Sequence, residues 1–320
     1  MRLRYSVVVG AVVLTVVGGT LVASSSAPES SLGADARAVV EQVETGSHDD
    51  AATARFVEDN VAVLLSEDVA KEADGSDLAS VFEVALSGDA ADGVFETVVA
   101  AVSEEGALHS PDLRPVFGAA AAARMAWFDT RINAFRSDNA DQWGELRRRY
   151  DAAHDFLREA MRDPEVAARL RQSMAEYGRG EVAAAPGAGE HRMFRLVQIG
   201  SVQAFFTQTH HEAELREAQF RGDVDTALNA DEADRDRRVD DGVDQAMWVA
   251  FGRFASDATV RAAAVGEPFV DASGALKSDL TESETEAMEA WASNEALDGG
   301  LFWKDVGYLA AGYAKVAPGS

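Results

Sequence analysis

The sequence predicts an all-α, multi-helix bundle-like body behind an N-terminal hydrophobic signal or anchor helix. Three observations carry that expectation. Apolar residues recur with a period near 3.6 from about residue 34 onward. No run of alternating β-branched residues, the mark of a half-buried strand, interrupts them. Asp, Ser and Pro stand where helices would begin and Gly where they would end.

The first element is the run Val7 to Ala23, uncharged over 17 residues and preceded by Arg2 and Arg4. Such a run leaves water for a bilayer, and the arginines hold its start on the cytoplasmic side. At about 1.5 Å per residue it reaches roughly 25 Å, longer than most secretory cores and short of a ~30 Å hydrocarbon layer. A retained single-pass anchor and a cleaved signal peptide therefore both fit residues 1–23. Cleavage would fall near Ala23, because Pro28 disfavours a cut after Ala27. The chain has no cysteine to carry a bacterial lipoprotein's lipid, and Arg2 and Arg4 are not adjacent as a twin-arginine signal requires. The Ser-rich residues 24–33 read as a flexible tether.

The body then divides into helical regions 34–182 and 190–320, two domains or two parts of one, joined by the Ala/Gly/Pro stretch 183–189. A helix over 34–45 precedes one over 50–66 with Val57, Val61, Leu64 and Leu65 on one face. A third starts at Ser76 and stacks Leu78, Val81, Phe82 and Leu86; a fourth carries Val94, Phe95, Val98, Val99 and Val102 and stops near Gly106. Past Pro111 and Pro115 a single helix is expected through Val116, Phe117, Trp127, Phe128, Ile132 and Phe135, its Ala-rich 118–123 segment open to close approach by a neighbour. A long helix is expected over about 140–162. Asp163-Pro164-Glu165 then caps and restarts the chain.

Beyond the linker, a helix over 190–220 carries Phe194, Val197, Phe205, Phe206 and Phe220. Residues 223–241 are acid-rich with few apolar anchors, and the period resumes through Met247 and Phe251. Residues 267–279 look irregular, with a turn at Ser273-Gly274. Thr281 and Glu284 form a capping box, and a last helix aligns Phe302, Val306, Leu309 and Tyr313. Trp303 falls off that stripe.

Charge narrows the partners. The net charge is −26, and without Arg2 and Arg4 the body holds 27 basic against 55 acidic residues. Nucleic acid and anionic headgroups are repelled. No phosphate loop, dinucleotide fingerprint, Gly-x-Ser-x-Gly elbow or HExxH motif occurs. Asp223 and Asp225 open like a calcium loop, but Leu228 stands where that loop needs glycine. The most metal-like cluster is His210, His211 and Glu214, with His210 and Glu214 one helical turn apart; Asp151 and His154 are the candidates to complete it from another helix. Surface histidines on a polar face are the plainer reading. Arg147, Arg148 and Arg149 sit beside Glu145 and Asp151, so intrahelical ion pairs are expected before any phosphate site.

The segment FLREAMRDPEVAARLRQSMAEYGRGEV (Phe156 to Val182), extended in style from SPDLRPVF (Ser110 to Phe117) to the C-terminus, resembles a helical region of uncharacterised actinobacterial proteins associated with WXG-type (type VII) secretion loci. The resemblance implies an envelope or secretion setting and brings no catalytic residues. This chain departs from that pattern in opening with a hydrophobic segment and not a WXG hairpin.

The expected function is protein–protein contact by an extracytoplasmic helical module, anchored in the cell membrane through residues 7–23 or secreted, with no cofactor. Its expected partner is another protein of the envelope or secretion system. Two alternatives stand beside it: a helical cell-wall glycan hydrolase using buried carboxylates, which leave almost no sequence signature, and a metal-binding bundle.

Overall fold

The computed structural model describes residues 38–39, 41–42, 50–87, 91–135, 143–185, 189–220, 245–253, 257–277, 280–298 and 300–314. Among these residues the chain is α-helical, without a strand; a lone antiparallel bridge joins Val270 to Leu276. No helix among them is long and apolar enough to cross a membrane. The expected anchor 1–23, the tether 24–33, most of the helix at 34–45 and the acid-rich stretch 223–241 lie outside the described residues.

Helices α1 (Asp50–Leu65), α2 (Glu67–Glu72), α3 (Gly75–Ser87) and α4 (Ala91–Glu105) form the first layer, with α1 packed on both α3 and α4. The apolar stripes read from the sequence are the buried faces: Val57, Val61, Leu64 and Leu65 on α1, Leu78, Val81, Phe82 and Leu86 on α3. Burying a side chain of this size contributes about 1.5–3 kcal/mol. The short α2 was not expected. Ser66 creates it by accepting a hydrogen bond from the Val69 amide at 3.4 Å.

The single helix expected from Val116 to Phe135 is in fact two, α5 (Leu113–Ala122) and α6 (Met125–Phe135). Local propensity favours continuity here, and a tertiary contact overrides it. Arg124 donates to the carbonyls of Ala120 (3.1 Å) and Leu86 (3.2 Å) and pairs with Asp92 at 2.9 Å. The guanidinium thereby satisfies carbonyls at two helix ends, and the chain turns.

Helices α7 (Trp143–Ala160) and α8 (Pro164–Ala184) both pack on α9 (Glu190–Phe220), as does α6. Asp163 caps α8 as its sequence implies, accepting from the Glu165 and Val166 amides at 2.9 and 3.2 Å. The Ala-rich segment does admit a neighbour: a Cβ on Gly118 would collide with the Val166 side chain of α8. A helical stretch over 245–250, α10 (Ala258–Ala263), α11 (Glu282–Asp298) and α12 (Leu301–Ala314) complete the described chain.

One apolar cluster contains residues from both sides of the 183–189 stretch, from Val39 to Leu309. Its centre is aromatic. Phe117 lies between Phe82 and Phe156, with centroids at 5.3 and 5.4 Å, and Phe128 meets Phe206 edge-on at 5.5 Å. Farther along, Phe251, Trp291 and Phe302 form a second aromatic group, and Trp303, off the main stripe, packs half-buried against the core.

Candidate functional site: a polar cleft between three helices

The sequence's metal candidates do not converge. His210 pairs with Glu214 at 3.5 Å, and His154 with Glu212 at 3.1 Å. Asp151 pairs with Arg147 at 3.4 Å, and His211 is buried. Among the described residues no group of three or more His, Asp or Glu side chains could hold a metal ion. The arginine run behaves as its neighbours predicted: Arg148 and Arg149 both pair with Glu145 on the same helix.

What the fold does bring together is a set of residues that no local motif signals. A cleft of about 480 Å³ opens between α6, α8 and α9, lined by Asp129, Thr130, Asn133, Tyr177, Arg195 and Gln198 among others. Asp129 is buried and lies at the centre of the cluster. Its Oδ2 accepts from the Tyr177 hydroxyl at 2.5 Å and from Arg195 Nη2 at 2.5 Å. Its Oδ1 accepts from Arg195 Nη1 at 3.2 Å and from Asn133 Nδ2 at 2.5 Å. Glu181, one turn along α8 from Tyr177, takes Arg195 Nε at 3.0 Å. Asp129 and Arg195 are 66 positions apart, a separation that leaves no periodic trace in the sequence.

The electrostatics follow from the geometry. Burial and the neighbouring Asp129 carboxylate raise the Tyr177 hydroxyl, which stays a phenol at neutral pH. Burial alone would lower Arg195, but its hydrogen bonds to Asp129 and Glu181 more than offset that and raise it. The cluster is thus two carboxylates on one guanidinium, a closed and directional arrangement.

Elsewhere the ionisable groups also serve as braces. Asp305 of α12 is 2% exposed and accepts Arg192 of α9 and Arg253, each at 2.7 Å. Arg192 further donates to the Ala185 carbonyl past the end of α8, at 2.9 Å. On the far side, Ser103 donates to Asp155 at 2.9 Å while Arg158 holds its other oxygen at 2.8 Å. Each carboxylate whose pKa is displaced among the described residues is displaced downward. Glu212 is lowered first by its hydrogen bond from His154, and Glu284 falls to about 2 through Lys277 and Thr281. Asp155 is lowered against its burial by His154 and Ser103.

A second groove, about 620 Å³, runs beside α3 and α5 and is lined by Leu86, Val116 and Ala120, with Glu83 and Asp92 facing Arg124 and Arg169. Its charges cancel in number. Comparison with known proteins finds no matching family model, no matching curated relative and no matching solved structure.

Proposed function

We propose that the protein is an extracytoplasmic helical module, held at or released from the cell membrane, that works through contact with another protein of the cell envelope. The observation that carries this reading is the uncharged run Val7–Ala23 behind Arg2 and Arg4, in front of an acidic body. The body's chemistry supports contact over catalysis. Its buried carboxylates are engaged by arginines, Asp129 and Asp305 from other helices and Glu159 by Arg162 three residues on, an arrangement suited to rigidity and not to proton transfer. The acidic surface favours a partner with a basic or neutral face. A setting in a type VII secretion locus is the narrower form of the same proposal, resting on the Phe156–Val182 resemblance alone.

The absence of cysteine makes the test clean. Ala100→Cys and Ser293→Cys place single thiols at exposed helix positions. In intact cells a membrane-impermeant maleimide should label both, and an impermeant bifunctional reagent should join them to a second protein. Labelling that requires lysis overturns the location. Labelling without any cross-linked species overturns the contact role.

A further inference from the structure

The geometry points to a ligand site in the cleft between α6, α8 and α9, and we infer that it takes a small uncharged polyhydroxylated molecule of monosaccharide size. The inference is independent of the contact role proposed above. At about 480 Å³ the cleft lies within the ~300–1,000 Å³ range of small-molecule sites.

Charge selects the class. Asp129 is bound on both oxygens, by Arg195, Tyr177 and Asn133. A cationic ligand would have to displace half-buried Arg195 from its ion pair with buried Asp129. An anionic ligand would meet Arg195 already flanked by Asp129 and Glu181, in a chain of net charge −26. Neither sign gains by binding. An uncharged ligand leaves the cluster intact.

The remaining hydrogen-bond capacity selects the functional groups. Thr130 gives its hydroxyl proton to the Ala126 carbonyl at 2.9 Å, which leaves its oxygen to accept. Asn133 directs its amide nitrogen to the Asp129 backbone carbonyl (3.0 Å) and carboxylate (2.5 Å), which leaves its carbonyl to accept. Gln198 turns its carbonyl toward Arg195 at 3.5 Å, so its amide nitrogen is the donor. Two acceptors and one donor on rigid helices match hydroxyl groups, each of which can give and take. Because Asn133 is already oriented by Asp129, little ordering accompanies binding.

The probe is N-acetylglucosamine, titrated into the intact protein by calorimetry and by amide chemical shifts. Saturable binding is expected, with shifts centred on residues 126–134, 177 and 195–198. Thr130→Ala and Gln198→Ala should each weaken it about fivefold, the loss of one neutral hydrogen bond. Ala126→Phe, at an exposed position lining the cleft, should abolish binding while thermal stability is retained. Glucosamine and glucuronate, which add a positive or a negative charge, should bind more weakly. The inference is overturned if N-acetylglucosamine does not bind saturably, if either charged sugar binds more tightly, or if the Phe-filled cleft binds as well as the original.

Discussion

The backbone carbonyl of Leu309 on α12 occupies the space a Cβ would need at Gly200 on α9. The contact is reciprocated. Gly312 faces the Val197 carbonyl in the same way, and Ser201 donates to the Gly312 carbonyl at 3.1 Å. Two helices from distant parts of the chain thus touch backbone to backbone, and their separation is set by two hydrogen atoms. Gly200→Ala and Gly312→Ala should each destabilise by about 1–3 kcal/mol as α12 is pushed outward. Gly307, exposed on the same helix with nothing near its missing Cβ, is the internal control. Gly307→Ala should stabilise by about 0.5–1 kcal/mol. Urea denaturation of the three variants checks the contrast.

Asp305 is the sole carboxylate joining Arg192 and Arg253 in the described ion pairs. Removing it takes the shared carboxylate from between two buried guanidinium groups, of which Arg253 keeps its pair with Asp257 at 3.0 Å, so Asp305→Ala should cost about 3–5 kcal/mol. Lys304→Ala, one residue away and exposed, should change stability by less than about 0.5 kcal/mol. Equal effects at the two positions would contradict the ion-pair account.

His154 gives the protein an alkaline stability limb. Burial alone would lower its pKa, yet its contacts with Asp155 and Glu212 outweigh burial and lift it to about 9, with Arg158 nearby opposing the rise. A folded pKa above the unfolded ~6.5 means the imidazolium stabilises the fold fully below that value. The contribution, up to roughly 3 kcal/mol, is lost as pH rises through 6.5 to about 9. The lowered pKa of Glu212 reflects the same contact and adds no separate amount. Denaturation midpoints between pH 6 and 10 should fall for the natural protein, and His154→Gln should flatten that decline.

Phe194 shows where periodicity misleads. It has helical spacing with Val197 and Phe205, yet it is 63% exposed whereas Phe205 is 1% exposed. Phe194→Ser should therefore alter stability by less than about 0.5 kcal/mol, and Phe205→Ala should cost about 3–5 kcal/mol. Thermal melts of the two variants separate them.

The same contrast explains what the sequence could and could not disclose. The stripes of α1, α3 and α4 were legible because burial on a helix face imposes its period directly on the residues. The cap at Asp163 and the box at Thr281 and Glu284 were legible because their partners lie within three positions. The Thr281 amide indeed donates to Glu284 at 2.8 Å. The break at Ala123–Arg124 was not, because its cause, the Leu86 carbonyl, lies 38 positions away. The Asp129–Tyr177–Arg195 cluster escaped for the same reason, as did the Asp305 brace, whose partner Arg192 is 113 positions distant. Pairings of that range have no local spacing to betray them. The histidines suggested a metal because His210 and Glu214 share a face; the other helix answers with His154 turned to Glu212, which makes a charge pair and not a ligand set.

The location of the body is the claim on which the proposed role depends, and the mature N-terminus with its cell fraction tests it most directly. N-terminal sequencing should find either the intact start in the membrane fraction or a chain beginning near Ser24 outside the cytoplasm. Full-length protein starting at Met1 and free in the cytosol would contradict the account.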